Sequence, residues 1–298
     1  MAQFKIFIDS TGDLPKDLRD KYDIDYCPMI VTVDEKEVVA SLDYDQGYSL
    51  KQFYDVMREG RRIFTSQVPD SVFLEKFTAA LKEGQDILYI GCSSKLSASV
   101  LAGEKVAMKL RAEYPDRKIV VFDSRISCYG QGEMAIFASK FRSEGKSIDE
   151  VAAWLEANFN KFNQYATVES LSYLKRAGRV SATSAFFGNI FGVKPILISD
   201  YTGQNLAIEK VKGTKQSLIF VASKIVEAGG DLTGKTIYIG HADALQQAEF
   251  VKGEILKLAP GTNIYIGPIG PIVGASTGPG TIGVYVFGKE CNVNKPAQ

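Results

Sequence analysis

The sequence predicts an α/β protein whose first half is built on a mainly parallel sheet. Short apolar runs of strand length alternate with helical patterns through this half, and that alternation is typical of βαβ units. Two capping boxes, Ser49 with Gln52 and Ser147 with Glu150, mark the starts of helices. Hydroxyl-rich turns follow several of the apolar runs, and ligands of such proteins bind at the carboxyl ends of the strands.

The elements of the first half are assigned from apolar periodicity and segment length. Strands are predicted at residues 5–8, 26–33, 86–90 and 118–122. Helices are predicted at residues 49–60, at residues 71–83 and from residue 147 to about residue 160. A further helix is predicted around Ala102, Val106 and Leu110, because these residues share one face at i, i+4 and i+8.

The second half is predicted to form another α/β domain. Strands are expected at residues 164–169, 207–211, 236–239, 264–266 and 284–287, and helices at residues 215–228 and 244–258. We place the domain boundary near residue 162, which gives domains 1–162 and 163–290. Residues 291–298 are polar and are expected to fray.

Residues 267–283, GPIGPIVGASTGPGTIG, have a composition that neither a helix nor a strand favours. The segment holds six glycines, three prolines and three hydroxyl side chains. Glycine lets a ligand approach the main chain closely, but clusters of glycine and proline also mark turns. The segment is therefore either a complex turn or the wall of a binding site. Three other hydroxyl-rich turns, at residues 9–11, 65–67 and 92–94, favour the binding site.

Composition excludes several classes of protein. The formal net charge is zero and no basic stripe is visible, which argues against nucleic acid as a partner. The four cysteines lie far apart without metal-ligand spacing, so we expect reduced thiols, no metal site and no cofactor. No run approaches the ~18 apolar residues of a membrane span, and the first residues lack a signal-peptide pattern. We therefore expect a cytoplasmic protein.

The sequence offers few groups for acid–base or nucleophilic catalysis. Its single histidine, His241, is expected to cap a helix or satisfy a turn. Neither a GxSxG elbow nor a GxxxxGK[ST] phosphate loop is present. The remaining candidates are neutral hydroxyls that could converge on one anionic head group: Ser10, Thr11, Thr65, Ser66, Ser93, Ser94, Ser276 and Thr277. The alternative is that each of them only caps a helix or satisfies a turn.

Residues 171–181, LSYLKRAGRVS, place three basic side chains beside an apolar segment rich in aromatic residues. The basic residues are Lys175, Arg176 and Arg179. The apolar segment contains Phe186, Phe187, Ile190 and Phe191. One interpretation is a solvated helix end beside the core. The other is a docking or membrane-facing patch beside a hydrophobic channel.

An ordered set of short motifs resembles the DegV family of bacterial fatty-acid-binding proteins. The motifs span nearly the whole chain, and each is weak alone. They are DSTGDLP at residues 9–15, TSQ at 65–67, SSKLSAS at 93–99, FDS at 122–124, YLKRAGRVS at 173–181, KPIL at 194–197, HAD at 241–243 and GPIVGASTGPGTIG at 270–283.

The resemblance implies two α/β domains with a long-chain fatty acid buried between them. It implies that Thr65 and Ser94 hold the carboxylate, and Ser276 occupies the position of the family's usual histidine. Ser66, Ser93 and Thr277 are expected nearby. The channel for the tail is expected to include Phe186, Phe187, Ile190, Phe191, Ile269 and Ile272.

The resemblance also implies a partner. Family members present the bound fatty acid to a separate kinase, which forms an acyl phosphate for phospholipid synthesis, and Arg176 and Arg179 correspond to the segment that docks the kinase. We therefore expect a non-enzymatic fatty-acid carrier that also contacts membrane surfaces transiently. The alternative is an enzyme, a transferase or hydrolase that acts on a small phosphorylated or acylated substrate. Because Ser276 offers no titratable cation, the resemblance supports a role in phosphoryl transfer less strongly than it supports lipid binding.

Overall fold

The computed structural model describes residues 4–181 and 192–296. Its strands are β1 (Phe4–Asp9), β2 (Ile24–Cys27), β3 (Met29–Val33), β4 (Lys36–Ala40), β5 (Ile63–Ser66), β6 (Asp86–Gly91), β7 (Ile119–Asp123), β8 (Phe162–Thr167), β9 (Val193–Ser199), β10 (Asn205–Lys212), β11 (Thr236–His241), β12 (Asn263–Pro268) and β13 (Ile282–Phe287). Its helices are α1 (Lys16–Tyr22), α2 (Leu50–Arg58), α3 (Asp70–Lys82), α4 (Ser99–Glu113), α5 (Cys128–Ser143), α6 (Ile148–Asn158), α7 (Leu171–Ala177), α8 (Thr214–Gly229), α9 (Leu245–Leu258) and α10 (Pro271–Thr277).

The first half contains the predicted parallel sheet, in the order β2-β1-β6-β7. Every residue of β6 is buried, as its apolar sequence indicates. Both predicted capping boxes form, at the first turns of α2 and α6. Ala102, Val106 and Leu110 are buried on α4, so the predicted face packs inward. The α/β fold class is therefore confirmed.

Residues 26–33 were expected to form one strand, but they belong to two sheets. Pro28 separates β2 from β3 and has no N–H to donate to a sheet. Strand β3 pairs antiparallel with β4 and β5 in a three-stranded sheet. The turn between β3 and β4 places Asp34 and Glu35 at φ 46° and 68°. Such left-handed pairs are typical of two-residue hairpins, where asparagine and glycine are the recognisable signal.

The second half forms a six-stranded sheet in the order β10-β9-β8-β13-β11-β12. Its pairs are antiparallel except for β11 with β12. Helices α8 and α9 pack together and against this sheet. Strand β8 is the first of the six in the chain, and the division of the chain near residue 162 stays a prediction.

The described part of the polar tail makes hydrogen bonds to the rest of the chain. The Cys291 N–H donates to the Asn160 carbonyl at 2.7 Å, and the Tyr201 N–H donates to the Val293 carbonyl at 2.9 Å. The Asn294 side chain donates to Asp200 Oδ2 at 2.7 Å. These bonds hold residues 291–294 against Asn160 and the loop between β9 and β10, and they satisfy backbone groups that would otherwise need water.

Helix α5 lies between the parallel sheet and the six-stranded sheet. It contacts β1 and β6 on one side and β8, β11 and β13 on the other. On the first side, the Gln131 amide donates to the Ile90 carbonyl at 3.0 Å. On the second side, the Phe287 N–H donates to the carboxyl of Glu133. Burial raises the pKa of this carboxyl to about 8. One hydrophobic cluster extends across this helix, so the two halves share a continuous core.

Across the residues described, none of the helices combines the length and the apolar character that crossing a bilayer requires.

Candidate functional site

A cavity of about 210 Å³ lies at the carboxyl ends of β1 and β6, where the edge strand β5 and helix α10 close over them. Its walls combine hydroxyl and amide groups with apolar side chains. The polar lining residues are Thr11, Thr65, Ser66, Gln67, Ser97, Ser127, Arg179, Asn205, Ser276 and Thr277. The others are Met29, Cys92, Leu96, Ala98, Leu174, Ile272 and Val273.

Most of the hydroxyls expected at the carboxylate meet in this cavity. Thr65 and Ser66 reach it from β5, while Ser276 and Thr277 reach it from the end of α10. To the residues that the structure describes, neither Thr65 nor Ser276 makes a side-chain hydrogen bond, whereas Thr277 donates to the Val273 carbonyl at 3.1 Å. Among the described lining residues, Thr65, Ser66, Ser127 and Ser276 therefore have hydroxyls free to donate to a ligand, whereas the Ser97 hydroxyl also contacts Ser99 Oγ at 2.9 Å.

The turn after β6 places its serines differently from the expectation. The Ser93 side chain is buried and donates to the Gly203 carbonyl at 2.7 Å. Ser94 is exposed, and its N–H donates to Asp123 at 3.1 Å. Neither lines the cavity. Because the Ser97 N–H donates back to the Ser93 carbonyl, the chain turns by one helical turn and places Ser97 in the wall instead.

Several lining residues were not predicted from the sequence, for different reasons. Ser97 lies within the quoted SSKLSAS motif, and the helical turn was the signal that could have found it. Gln67 belongs to the quoted TSQ motif and Ser127 lies three residues after the FDS motif, but Asn205 is brought in only by the pairing of β10 with β9. Ser10, in contrast, is fully occupied, since its hydroxyl donates to the Ala40 carbonyl and accepts from the Met29 N–H.

The expected tail channel is described only in part. Phe186, Phe187, Ile190 and Phe191 lie outside the described residues. Ile272 lines the cavity, and its place in a tail channel stays a prediction. Ile269 does not, because it is buried in the core that joins the two halves. Met29, Leu96, Leu174 and Val273 supply the remaining apolar wall.

The cavity carries little charge. Arg179 is the sole charged side chain among its described lining residues, and its Nε donates to the Leu96 carbonyl at 3.2 Å. Burial raises the pKa of the Cys92 thiol, which disfavours a reactive thiolate. His241 lies elsewhere: its Nδ1 accepts from the Ala244 N–H at 3.3 Å, and burial lowers its pKa. The hydrogen-bonding role expected for His241 is confirmed.

No set of three or more acidic, histidine or cysteine side chains in residues 4–181 and 192–296 is arranged to hold a metal ion. All four cysteines are free thiols.

A second cavity, of about 280 Å³, adjoins the first and shares Thr65, Arg179 and Ser276 with it. We call it the arginine groove, because four arginines and no acidic residue line it: Arg61, Arg62, Arg176 and Arg179. Arg61 pairs with Asp34 at 2.5 Å. The other three have no carboxylate within 4.0 Å in the described part of the chain. Arg62 and Arg176 instead stack on Phe64 and Tyr173.

Of the two predicted readings of the glycine-rich segment, a wall of the cavity agrees with the structure, although the wall is regular rather than an irregular loop. It contains the end of β12, helix α10 and the start of β13. Three of its glycines pack directly on side chains from the first half of the chain. A Cβ at Gly267, Gly270 or Gly274 would lie only 2.0, 2.5 or 2.3 Å from an oxygen of Tyr129, Asp13 or Tyr54, respectively. The glycines therefore permit α10 to dock, and α10 in turn forms the cavity wall.

The comparisons with known proteins agree with this architecture. The family model described as "Uncharacterised protein, DegV family" matches residues 3–289. The chain belongs to the DegV family. A DegV domain-containing protein of Clostridium perfringens is 37% identical over 97% of this chain and 98% of its own. One from Streptococcus pyogenes is 28% identical over 96% of this chain and 99% of its own.

Solved DegV structures have the same fold. A protein from Thermus thermophilus, described by its fatty-acid binding, superposes with a TM-score of 0.86 at 25% identity, covering 96% of this chain and 99% of its own. A protein from Eubacterium eligens, loaded with heptadecanoic acid, gives a TM-score of 0.82 at 20% identity, over 96% of this chain and all of its own. The recognition of the family and of its fold from sequence motifs is confirmed.

The glycine packing predicts opposite effects for two glycine-to-alanine substitutions. Gly274→Ala places a methyl against the Tyr54 hydroxyl and should lower the free energy of unfolding by about 1–3 kcal/mol. Gly253→Ala, on an exposed face of α9 with nothing near its Cβ, should raise it by about 0.5–1 kcal/mol. Urea unfolding of both variants measures the difference. Equal effects would show that close approach at Gly274 does not constrain the fold.

Proposed function

We propose that this protein binds a long-chain fatty acid non-enzymatically in the cavity described above. The observation that carries the proposal is the meeting of Thr65, Ser97 and Ser276 in one apolar-backed cavity. The family context supports it, because the Thermus thermophilus relative of the same fold is described as binding fatty acids. The carboxylate would lie against these hydroxyls, and the tail would pass along Leu96, Leu174 and Ile272.

The chemistry of the cavity suits a fatty acid. Burying a tail is worth ~0.8 kcal/mol per CH₂, so a C16 chain gains on the order of 10 kcal/mol before ordering costs. The head group then needs only a few hydrogen bonds, each worth ~1.5–3 kcal/mol to a charged acceptor. A site with neutral donors and one arginine supplies these bonds without a buried ion pair.

We further propose that the arginine groove receives a fatty-acid kinase. The groove opens beside Thr65 and Ser276, where the carboxylate would lie, so a kinase bound there could reach the carboxylate. The kinase would transfer the γ-phosphoryl group of ATP to a carboxylate oxygen, giving an acyl phosphate and ADP. Arg62, Arg176 and Arg179 are free of acidic partners in the described chain, and such a surface accelerates association with an acidic partner.

The ligand proposal is tested by lipid extraction and native mass spectrometry of the purified protein. We expect one fatty acid for each chain, released on denaturation, because the buried tail resists exchange. Recovery of a polar metabolite instead, or turnover of an activated ester by the protein alone, would contradict the carrier and support the alternative of a transferase or hydrolase.

The position of the carboxylate is tested by comparing fatty-acid binding after substitution of Ser97 and after substitution of Ser94. Thr65→Val and Ser97→Ala should each weaken fatty-acid binding about tenfold or more, because each removes one hydrogen bond to the carboxylate. Ser94→Ala is the matched control and should bind normally, since Ser94 faces solvent. Titration with a fluorescent fatty acid gives the dissociation constants. A loss in Ser94→Ala with normal binding by Ser97→Ala would place the carboxylate at Ser94 after all.

The docking surface is tested by charge reversal. Arg62→Glu and Arg176→Glu should slow association with a purified fatty-acid kinase about tenfold or more at low salt, and less at high salt. Lys109→Glu, on the exposed side of α4, makes the same change in net charge and should have little effect. Fatty-acid affinity should be unchanged in all three. Unaltered kinase association, with loss of binding to anionic lipid vesicles, would assign the groove to a membrane surface instead.

A further inference from the structure

Helix α10 reaches the cavity through a short segment that the first half of the chain holds in place. The Tyr129 hydroxyl donates to the Pro268 carbonyl at 3.1 Å, and the Tyr54 hydroxyl donates to the Ile269 carbonyl at 2.7 Å. The Gly270 N–H donates to Asp13 Oδ1 at 2.9 Å. Helix α10 begins at the next residue and carries Ile272, Ser276 and Thr277 into the cavity wall. These three bonds therefore determine where the wall lies.

Asp13 is unusual among these three partners. It is fully buried and has a left-handed backbone conformation, with φ 49°. Its Oδ2 has no hydrogen-bond partner in the described structure, whereas the carboxyl of Asp9 accepts four bonds. Ligand binding gives no reason for a buried carboxyl at this position, because Asp13 does not line the cavity.

The groups that face Asp13 are acids or phenols rather than cations. They are Asp9 of β1, Cys92 after β6, Cys128 and Tyr129 of α5, Tyr44 from the loop before α2, Tyr54 of α2 and Tyr285 of β13. The neighbouring cation, Arg19, is already paired with Asp43. An ionised carboxyl at Asp13 would be desolvated by burial and repelled by Asp9; the Gly270 N–H and the Cys128 thiol favour the ionised form, but burial outweighs both.

Burial is the largest cause that raises the pKa of Asp13, to about 8. Burial also raises the pKa of the thiol of Cys128 and of the phenols of Tyr44, Tyr54, Tyr129 and Tyr285, each well above its ordinary value. In this cluster Asp13 is therefore the group that changes charge just above neutral pH. Ionisation of Asp13 favours any movement that brings water to its carboxyl. The hydrogen bond from Gly270 links this carboxyl to the residue directly before α10, so such a movement would displace the start of the helix.

We propose that Asp13 is a positioning residue for the cavity: its neutral carboxyl seats α10 through the Gly270 N–H, and its ionisation loosens α10 and speeds release of the ligand. The inference rests on the proposed function for the identity of the ligand, but the seating of α10 does not depend on it. The contact requires glycine at position 270, since a Cβ there would lie 2.5 Å from Asp13 Oδ1 and prevent the hydrogen bond.

The proposal separates two pH ranges. The folded carboxyl has a pKa of about 8, against an ordinary value of 3.8, so the native state keeps a proton that the unfolded chain has lost. The free energy of unfolding should therefore fall as pH rises from about 4 to about 8. The seating of α10 should change only where the native carboxyl ionises, between about pH 7 and pH 9.

The decisive variant is Asp13→Asn. Asparagine tolerates the left-handed conformation, still accepts from the Gly270 N–H and cannot ionise. The matched control is Glu133→Gln, which removes another buried carboxyl with an unpartnered oxygen and a pKa of about 8. Glu133 contacts β13 rather than the segment before α10. Tyr54→Phe removes a different bond to the same segment without changing a charge.

Fatty-acid dissociation is measured by displacement of a fluorescent fatty acid from pH 6.5 to pH 9. The unmodified protein should release it about fivefold faster at pH 9 than at pH 7, as a pKa about one unit lower in the loosened form than in the seated form would give. The Asp13→Asn variant should release the fatty acid slowly at every pH. The Glu133→Gln variant should show the same increase in release rate between pH 7 and pH 9 as the unmodified protein. The Tyr54→Phe variant should release the fatty acid faster than the unmodified protein at every pH and should still show the increase in release rate between pH 7 and pH 9. An increase that persists in Asp13→Asn, or that disappears equally in Glu133→Gln, overturns the proposal.

Hydrogen exchange in the ligand-free protein tests the seating without any fatty acid. Protection factors of the amides in residues 274–278 should fall between pH 7 and pH 9 in the unmodified protein and stay constant in Asp13→Asn. Constant protection in the unmodified protein overturns the proposal even if fatty acid binds. A fall in protection with no fatty-acid binding supports the seating and counts against the proposed function alone.

Discussion

The structure depends on the close approach of one glycine-rich segment to three side chains of the first half. Tyr129, Asp13 and Tyr54 occupy the space that side chains at Gly267, Gly270 and Gly274 would need, and each also makes a hydrogen bond to the same stretch of backbone. This packing seats α10 on the first half of the chain. Without it the carboxyl ends of the parallel strands would remain an open edge rather than the floor of a cavity.

The cavity and the arginine groove differ in the charge of the side chains that line them. Apart from Arg179, the described lining of the cavity is uncharged, whereas Arg61, Arg62 and Arg176 line only the groove. This separation avoids the desolvation cost of a buried ion pair. It also leaves the charge accessible to a partner. Arg179 lies at the junction, where it lines both spaces and is bonded to the Leu96 carbonyl.

Local signals in the sequence predicted much of the fold but less of the site. The capping boxes at Ser49 and Ser147 and the buried strand β6 are decided by neighbouring residues, so they were predicted correctly. The sheet that follows Pro28 was missed because a hairpin without glycine or asparagine carries little local signal. Ser94 was assigned from the resemblance to the family, and motif order alone does not show that the turn after β6 brings Ser97 rather than Ser94 to the cavity.

Tertiary packing decided the remaining features. Arg61 and Arg62 are far in sequence from Arg176 and Arg179, and only folding brings the four together. The most direct test of the account is a crystal structure of this protein with a bound C16 fatty acid. The account predicts carboxylate oxygens within hydrogen-bond distance of Thr65 Oγ1 and Ser276 Oγ, with α10 seated on Tyr54. A carboxylate outside this cavity, or a tail where the carboxylate is expected, would contradict it.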